Sequence, residues 1–252
     1  MSAAGHRQVR VSMERMPRHQ PGTMAEDYLR VIWKAQEWPA GSITTNQIAA
    51  TLGVTPSSVS GNLKKLARDG MIEYEPYGRI DLSDEGRAVA VAVVRRHRLI
   101  ETYLVRCLGF GWDEVHGEAD LLEHAVSDRV LDRIDEVLGR PGRDPHGDPI
   151  PRADGSVEQS SARRLSEVAP GQCGTVVRIS DREPALLRYL DERGISIGTR
   201  LRVRSRLEAA GSLSISASTG DQSDRAMLEL SMVVADAMWM SVEPDDRASA
   251  PA

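Results

Sequence analysis

The sequence predicts a mainly α protein that ends in a small β-barrel, and three observations carry that prediction. Apolar residues recur at helical spacing from Met24 to about Leu138; a Pro-, Gly- and Asp-rich stretch follows; then short alternating segments separated by glycines run to Val242. The 252 residues suffice for two modest domains, or three small ones, with their own cores. No run approaches the ~18 apolar residues of a membrane helix. The start (1–22) holds Arg and His but lacks the apolar stretch of a secretory leader, so it is read as a disordered extension of a cytoplasmic protein. Met13, Met16 and Met24 are alternative starts.

Met24 to Glu37 sets Tyr28, Leu29, Ile32, Trp33 and Ala35 on one broad apolar face, a predicted helix that Pro39-Ala-Gly41 stops. Thr44 or Thr45 caps a short helix from Asn46 to Leu52, and Gly53 supplies the tight turn after it. Thr55-Pro56 opens a third helix, Ser57 to Arg68, with proline where a helix tolerates it best, and Asp69-Gly70 ends it. From Met71 to Leu82, apolar and polar residues alternate around Pro76-Tyr77-Gly78, which predicts a two-stranded wing. Helix, helix, glycine turn, helix and hairpin make a winged helix-turn-helix (23–90), whose second paired helix would enter the major groove of double-stranded DNA. Its solvent face offers Ser57, Ser58, Ser60, Asn62, Lys64 and Lys65 beside Thr55, with Arg79 on the wing, while Val59, Leu63 and Leu66 form the core side. An ordinary helical hairpin with a solvated Ser/Lys face would share this pattern, but not the wing. The net charge of −5 does not exclude DNA, because local basic surface governs non-specific affinity.

Ser83 begins a long helix that continues through Leu104 and is broken by Gly109 to Asp113. A second helix runs from about Asp113 to Ser127 and a third from about Asp128 to Leu138, within a helical domain over 91–151. The run His116-Gly-Glu-Ala-Asp120-Leu-Leu-Glu123-His124 directs His116, Asp120, Glu123 and His124 toward one face, and His97 and Glu101 repeat the spacing at i, i+4 on the preceding helix. Two such helices can enclose a divalent cation. Behind a DNA-reading head, that suggests a metal sensor and not an enzyme. A lone helical histidine is more often a core or surface residue than a ligand, so the pattern carries the reading; Glu118 points elsewhere and is read as solvated. The apolar faces are large for so small a unit, which predicts a homodimer. Two-fold symmetry suits a palindromic operator with half-sites roughly 34 Å apart. Cys107 and Cys173 form no CxxC pair and are expected to be free, buried or semi-buried thiols in a reducing cytosol, not metal ligands. Neither a membrane nor a small organic substrate is expected.

Gly139 to Ser161 reads as a linker, with 152–162 separating the domains. Beyond it, over 163–244, strand-like segments (Cys173 to Ile179, Thr199 to Arg206, Ser212 to Ala217, Trp239 to Val242) surround one helix, Pro184 to Arg193. Ala226 to Ala237 fits either helix or strand. Residues 245–252 read as a disordered tail.

Several landmarks occur in order along nearly the whole ordered chain: Glu26-Asp27-Tyr-Leu-Arg, Val54-Thr-Pro-Ser-Ser-Val-Ser, Arg96-His97-Arg-Leu-Ile-Glu101, Val115-His116 through Glu123-His124, and Pro145-His-Gly-Asp-Pro-Ile-Pro151. In these the chain resembles the diphtheria-toxin-repressor family of metal-dependent transcriptional repressors. Its tail resembles the SH3-like, ferrous-transport-A-type domain that many members carry. The resemblance implies a main metal site of Asp27, His97, Asp120, Glu123 and His124. It also implies a second site of Glu101, His116, Asp144 and His146, completed by an oxygen ligand from the barrel, Asp181, with Glu183 close behind.

Iron-responsive relatives carry Met and Cys at the positions of Asp27 and Asp120. Manganese-responsive ones carry carboxylates, as this chain does, and hard oxygen donors suit Mn2+. Some manganese members have Glu where this chain has Arg30, and Asp144 replaces a common Cys or Ser. The implied protein binds two Mn2+ per subunit, with Fe2+ or Co2+ as alternatives, and represses manganese-homeostasis genes when metal fixes its reading heads. An iron(II)-dependent repressor of iron-uptake genes is the rival within the class. A metallohydrolase using the cluster to activate water and a barrel-mediated adaptor with a structural metal are remote rivals.

Overall fold

The computed structural model describes residues 22–37, 42–75, 78–158, 160–218 and 227–243. The expected extension up to residue 21, the Pro39–Gly41 stop, the wing tip at Pro76 and Tyr77, and the 245–252 tail lie outside those residues. The chain divides into two compact units, Met1–Ala90 and Val91–Ala252.

The first unit holds α1 (Thr23–Glu37), α2 (Thr45–Leu52), α3 (Pro56–Arg68), an antiparallel hairpin of β1 (Ile72–Tyr74) and β2 (Ile80–Leu82), and the start of α4 (Asp84–Leu108). Thr44 caps α2 in a capping box with Gln47, and Gly53 ends it in the left-handed region at φ 65°. Thr55 caps α3 by accepting from the Ser58 amide at 3.2 Å, with Pro56 at the first helical position. Val59, Leu63 and Leu66 are buried, as are Leu29, Ile32 and Ile48. The wing enters α4 through Gly86, where a Cβ would meet the Met71 carbonyl oxygen at 1.9 Å. Fully buried Leu63 predicts that Leu63→Ala destabilises the unit by about 2–5 kcal/mol. Urea unfolding followed by circular dichroism checks this, and an unshifted midpoint would contradict it.

In the second unit, the remainder of α4 packs with α5 (Val115–Leu122) and α6 (Asp128–Val137) around Leu99, Ile100, Leu104, Val115, Ala119 and Leu131. The second helix is shorter than the sequence predicts. The backbone tightens after Leu122, whose carbonyl accepts from both Ala125 and Val126, so Glu123 and His124 sit in a turn beyond the helix end. The Pro-rich stretch also departs from a loose linker: Asp144, His146, Asp148 and Ile150 are all buried. Asp144 Oδ1 accepts the amides of His146 and Asp148, each at 2.9 Å, an Asx turn that satisfies buried backbone without a helix or strand. Arg95 and Arg98 on α4 donate to the carbonyls of Pro151 and Pro149 at 2.7 and 2.6 Å.

An antiparallel six-stranded sheet follows in the order β3-β8-β4-β5-β6-β7, an SH3-like domain around its own core. Its members are β3 (Arg163–Arg164), β4 (Cys173–Ile179), β5 (Arg200–Leu207), β6 (Ser212–Ser218), β7 (Met227–Ser231) and β8 (Met238–Val242), with α7 (Pro184–Asp191) between β4 and β5. The ambiguous segment resolves into β7 and a short α8 (Met232–Asp236), split where Ser231 caps the helix by accepting from Val234 N. Both cysteines are free, but Cys107 is exposed and not buried as expected. Among the described residues, no helix is long and apolar enough to cross a membrane.

Candidate metal centre

The i, i+4 spacing on α4 directs His97 and Glu101 to one side, and both side chains are buried. His97 is the hub. Its Nδ1 lies 2.7 Å from Glu123 Oε2 and 3.4 Å from Asp120 Oδ1. Its Nε2 lies 3.0 Å from both Glu101 Oε1 and His116 Nδ1. The family resemblance implies a main and a second set, whereas the structure joins the two sets through one imidazole. Glu123 continues the chain outward, its Oε1 3.3 Å from His124 Nε2. His124 faces Glu123 from the turn beyond α5, so the four residues expected on one helix face are divided between helix and turn.

The barrel and the packed turn complete the inner part. His116 Nδ1 is 3.2 Å from Glu101 Oε1 and 3.6 Å from Asp181 Oδ2, so the structure brings Asp181 to the cluster. Glu183 is exposed and precedes α7. Glu101, Asp144 and His146 form a fully buried group, and Glu101 is shared with a second group, Glu101, His116 and Asp181, in which His116 is half-buried. On the other side, His116 and Asp120 are 40% and 41% exposed, so the cluster opens to solvent there.

Electrostatics follow from crowding carboxylates in a dry place. Burial works to raise the Glu101 carboxyl, but the charge of His97 and hydrogen bonds from His116 and His97 outweigh it and hold it well below the usual range. Burial pushes the Asp144 carboxyl up to about 7; Asp148 and Glu101 add to this, and Arg98 and His146 oppose it. For His146, burial disfavours the charged form, yet Glu101, Asp144 and Asp181 raise its pKa overall. The surroundings of Asp144 and His146 thus carry surplus negative charge that a cation would relieve.

The donor set fits a divalent cation on a second count. His146 Nε2 donates to the Trp112 carbonyl at 2.6 Å, so the nitrogen that would give up its proton and offer a lone pair to a cation is Nδ1. That Nδ1 is buried without a hydrogen-bond partner, and Glu101 Oε2 lies 4.0 Å away, beyond hydrogen-bonding reach. No cysteine belongs to these groups.

In the first unit, Asp27 is half-buried on α1. Thr55, Ser57, Ser58, Lys64 and Lys65 are exposed, with the Thr55 hydroxyl 2.9 Å from those of Ser57 and Ser58. Ser60 donates to the Pro56 carbonyl, and Arg79, 70% exposed, pairs with Asp81 at 2.8 Å. Asn62 departs from the expectation of a groove-facing residue. It is half-buried and donates to the Tyr28 hydroxyl at 3.1 Å, because its helical position turns it toward α1.

Arg98, Asp148, Arg178 and the Trp112 carbonyl were not among the expected site residues. Arg98 and Asp148 lie inside the motifs that carry the family resemblance, near His97 and His146, so a signal existed for them. Nothing in the strand-like run around Arg178 distinguishes it.

A reading head followed by a buried carboxylate–imidazole cluster defines a metal-dependent DNA-binding regulator. Residues 22–80 match the family described as "Iron dependent repressor, N-terminal DNA binding domain", 83–152 its "metal binding and dimerisation domain", and 163–237 the FeoA domain. The chain is 35% identical over 159 residues to the iron-dependent repressor IdeR of Mycobacterium leprae, covering 60% of this chain and 69% of that protein. It is 32% identical over 189 residues to the diphtheria toxin repressor of Corynebacterium efficiens, covering 70% and 80%. A solved structure described as a manganese-dependent transcriptional repressor in complex with manganese is 50% identical, with a TM-score of 0.81, covering 86% of this chain and 98% of that one. The chain belongs to the diphtheria-toxin-repressor family of metal-dependent transcriptional repressors, which are regulators and not enzymes. The family's DNA-binding and dimerisation domains support DNA binding and a homodimer.

Proposed function

We propose that this repressor responds to Mn2+, binds two ions per subunit and acts on a palindromic operator controlling manganese homeostasis. The observation that carries the metal assignment is the donor set: carboxylates and imidazoles, with no cysteine in the cluster. Oxygen-rich sites of this kind suit a hard cation, and Mn2+, lowest in the Irving–Williams order, must be selected by geometry and availability. The manganese-dependent relative of known structure supports the same reading. The iron-dependent relatives support Fe2+ as the second reading.

In this reading His97, Asp120, Glu123 and His124 hold one ion, and Glu101, His116, Asp144, His146 and Asp181 hold the other. A bound cation supplies the positive charge that lets these carboxylates stay together. The family resemblance adds Asp27, on the reading head, as a further ligand. Its carboxylate would fix the head relative to the dimer axis, and a ligand that favours the DNA-competent state must itself be tightened by operator DNA, by about 1–3 kcal/mol. Exposed Leu108, Leu121, Val130 and Val137 on α4, α5 and α6 offer apolar surface for the homodimer to cover.

The test titrates metal-free protein with Mn2+, anaerobic Fe2+, Co2+ and Zn2+ against a promoter upstream of a manganese-transport gene, at fixed salt. Activation by micromolar Mn2+ is expected, and activation by Fe2+ alone would overturn the manganese assignment. Asp27→Ala is expected to leave the dimer intact in analytical ultracentrifugation while abolishing metal-stimulated DNA binding. Stimulation that survives would remove Asp27 from the mechanism.

A further inference from the structure

We propose that the buried ion-pair chain Arg98–Asp148–Arg178 is a positioning device for the second metal site, fastening the SH3-like domain to the turn that carries Asp144 and His146. The inference rests on the two-site reading above. Arg178 Nε donates to Asp148 Oδ1 at 2.5 Å, and Arg98 Nη2 lies 3.7 Å from the same oxygen. All three side chains are buried. Each stands next to a candidate ligand on a different element: Arg98 follows His97 on α4, Asp148 is two residues after His146 in the turn, and Arg178 on β4 is three residues before Asp181. Asp144, itself a candidate ligand, also meets this chain, its Oδ2 3.5 Å from Arg98 Nε. The three residues act by holding the elements that carry the ligands, and not as ligands themselves.

Burying three charges is a poor route to stability, since an apolar replacement of similar shape is often as stable. What a guanidinium–carboxylate pair adds is direction. Arg178 is itself held: its guanidinium carbon lies 3.9 Å from the centre of the Trp239 ring. The backbone repeats the connection, with the Ile179 amide donating to the His146 carbonyl at 2.9 Å. One strand thus fixes His146 directly and presents Asp181 two residues later.

The test uses the full chain and two variants, Arg178→Gln and Arg178→Lys. Mn2+ binding is measured by equilibrium dialysis, and exchange of the Ile179 amide is followed in the metal-free protein. Wild type is expected to bind two ions. Arg178→Gln is expected to keep one at wild-type affinity, to weaken the other by about 10–100-fold, the range typical of lost outer-shell partners, and to speed Ile179 exchange. Arg178→Lys keeps the charge without the planar fork and is expected to be intermediate, so it decides the matter if Arg178→Gln does not fold. Two ions at wild-type affinity in each folded variant would overturn the positioning role alone. A wild-type chain binding a single ion would overturn the two-site reading, and the positioning role with it.

Discussion

His97→Ala is expected to cost the protein one metal ion outright and to weaken the other. Each ring nitrogen faces a different candidate ligand set, Nδ1 toward Glu123 and Asp120 and Nε2 toward Glu101 and His116. Removing the ring therefore strips a donor from the hub and leaves two buried carboxylates, Glu101 and Glu123, repelling one another across the gap. The loss of affinity should exceed the ~10–100-fold produced by removing an outer-shell partner. DNA binding should then no longer respond to metal, forfeiting the roughly 5–150-fold that such coupling commonly supplies. Equilibrium dialysis with Mn2+ and a mobility shift at fixed salt read the two effects separately. One ion retained at wild-type affinity would show that His97 serves a single set.

Gly147→Ala is expected to detach the Asx turn from the barrel. Gly147 sits at φ 88°, and a Cβ there would meet the Val177 carbonyl oxygen at 2.0 Å and the Arg178 Cα at 2.9 Å. Strain at such a φ costs about 1–3 kcal/mol, and the colliding atoms are backbone, which has no rotamer to escape into. The turn must lift, breaking the bond from the Ile179 amide to the His146 carbonyl and moving His146 from Glu101. Hydrogen exchange at Ile179 should accelerate and one of two ions should be lost, while unfolding of the first unit is unchanged. Wild-type exchange at Ile179 would defeat this account.

Much of the architecture was legible because it rests on local rules. Thr44, Gly53, Thr55 and Pro56 mark helix ends by capping chemistry that needs no tertiary contact, and α2 and α3 begin within a residue of the expected positions. His97 with Glu101 is legible for the same reason, since an i, i+4 pair shares a face wherever the helix packs. Long-range decisions were not legible. The tightening after Leu122 takes Glu123 and His124 off the helix, and Asn62 turns toward a tyrosine 34 residues away. The turn at 144–149 has the composition of a loop, yet it is buried because Asp144 satisfies its amides and two arginines meet Asp148. β3 was missed because two arginines carry no alternation, and the Ala226 to Ala237 segment was ambiguous because the apolar residues of β7 continue directly into α8.

The nitrogen and oxygen donors of this cluster have one more consequence, in redox chemistry. Neither cysteine belongs to it: Cys107 lies on the exposed end of α4 and Cys173 at the start of β4. A sensor that grips its ion through a thiolate can be silenced by peroxide, which drives sulfur to sulfenic and then sulfinic acid. These carboxylates and imidazoles offer that oxidation no sulfur to attack. On the proposed ligand set, peroxide would therefore leave the cation-holding groups themselves intact, where a thiolate-ligated site would lose one.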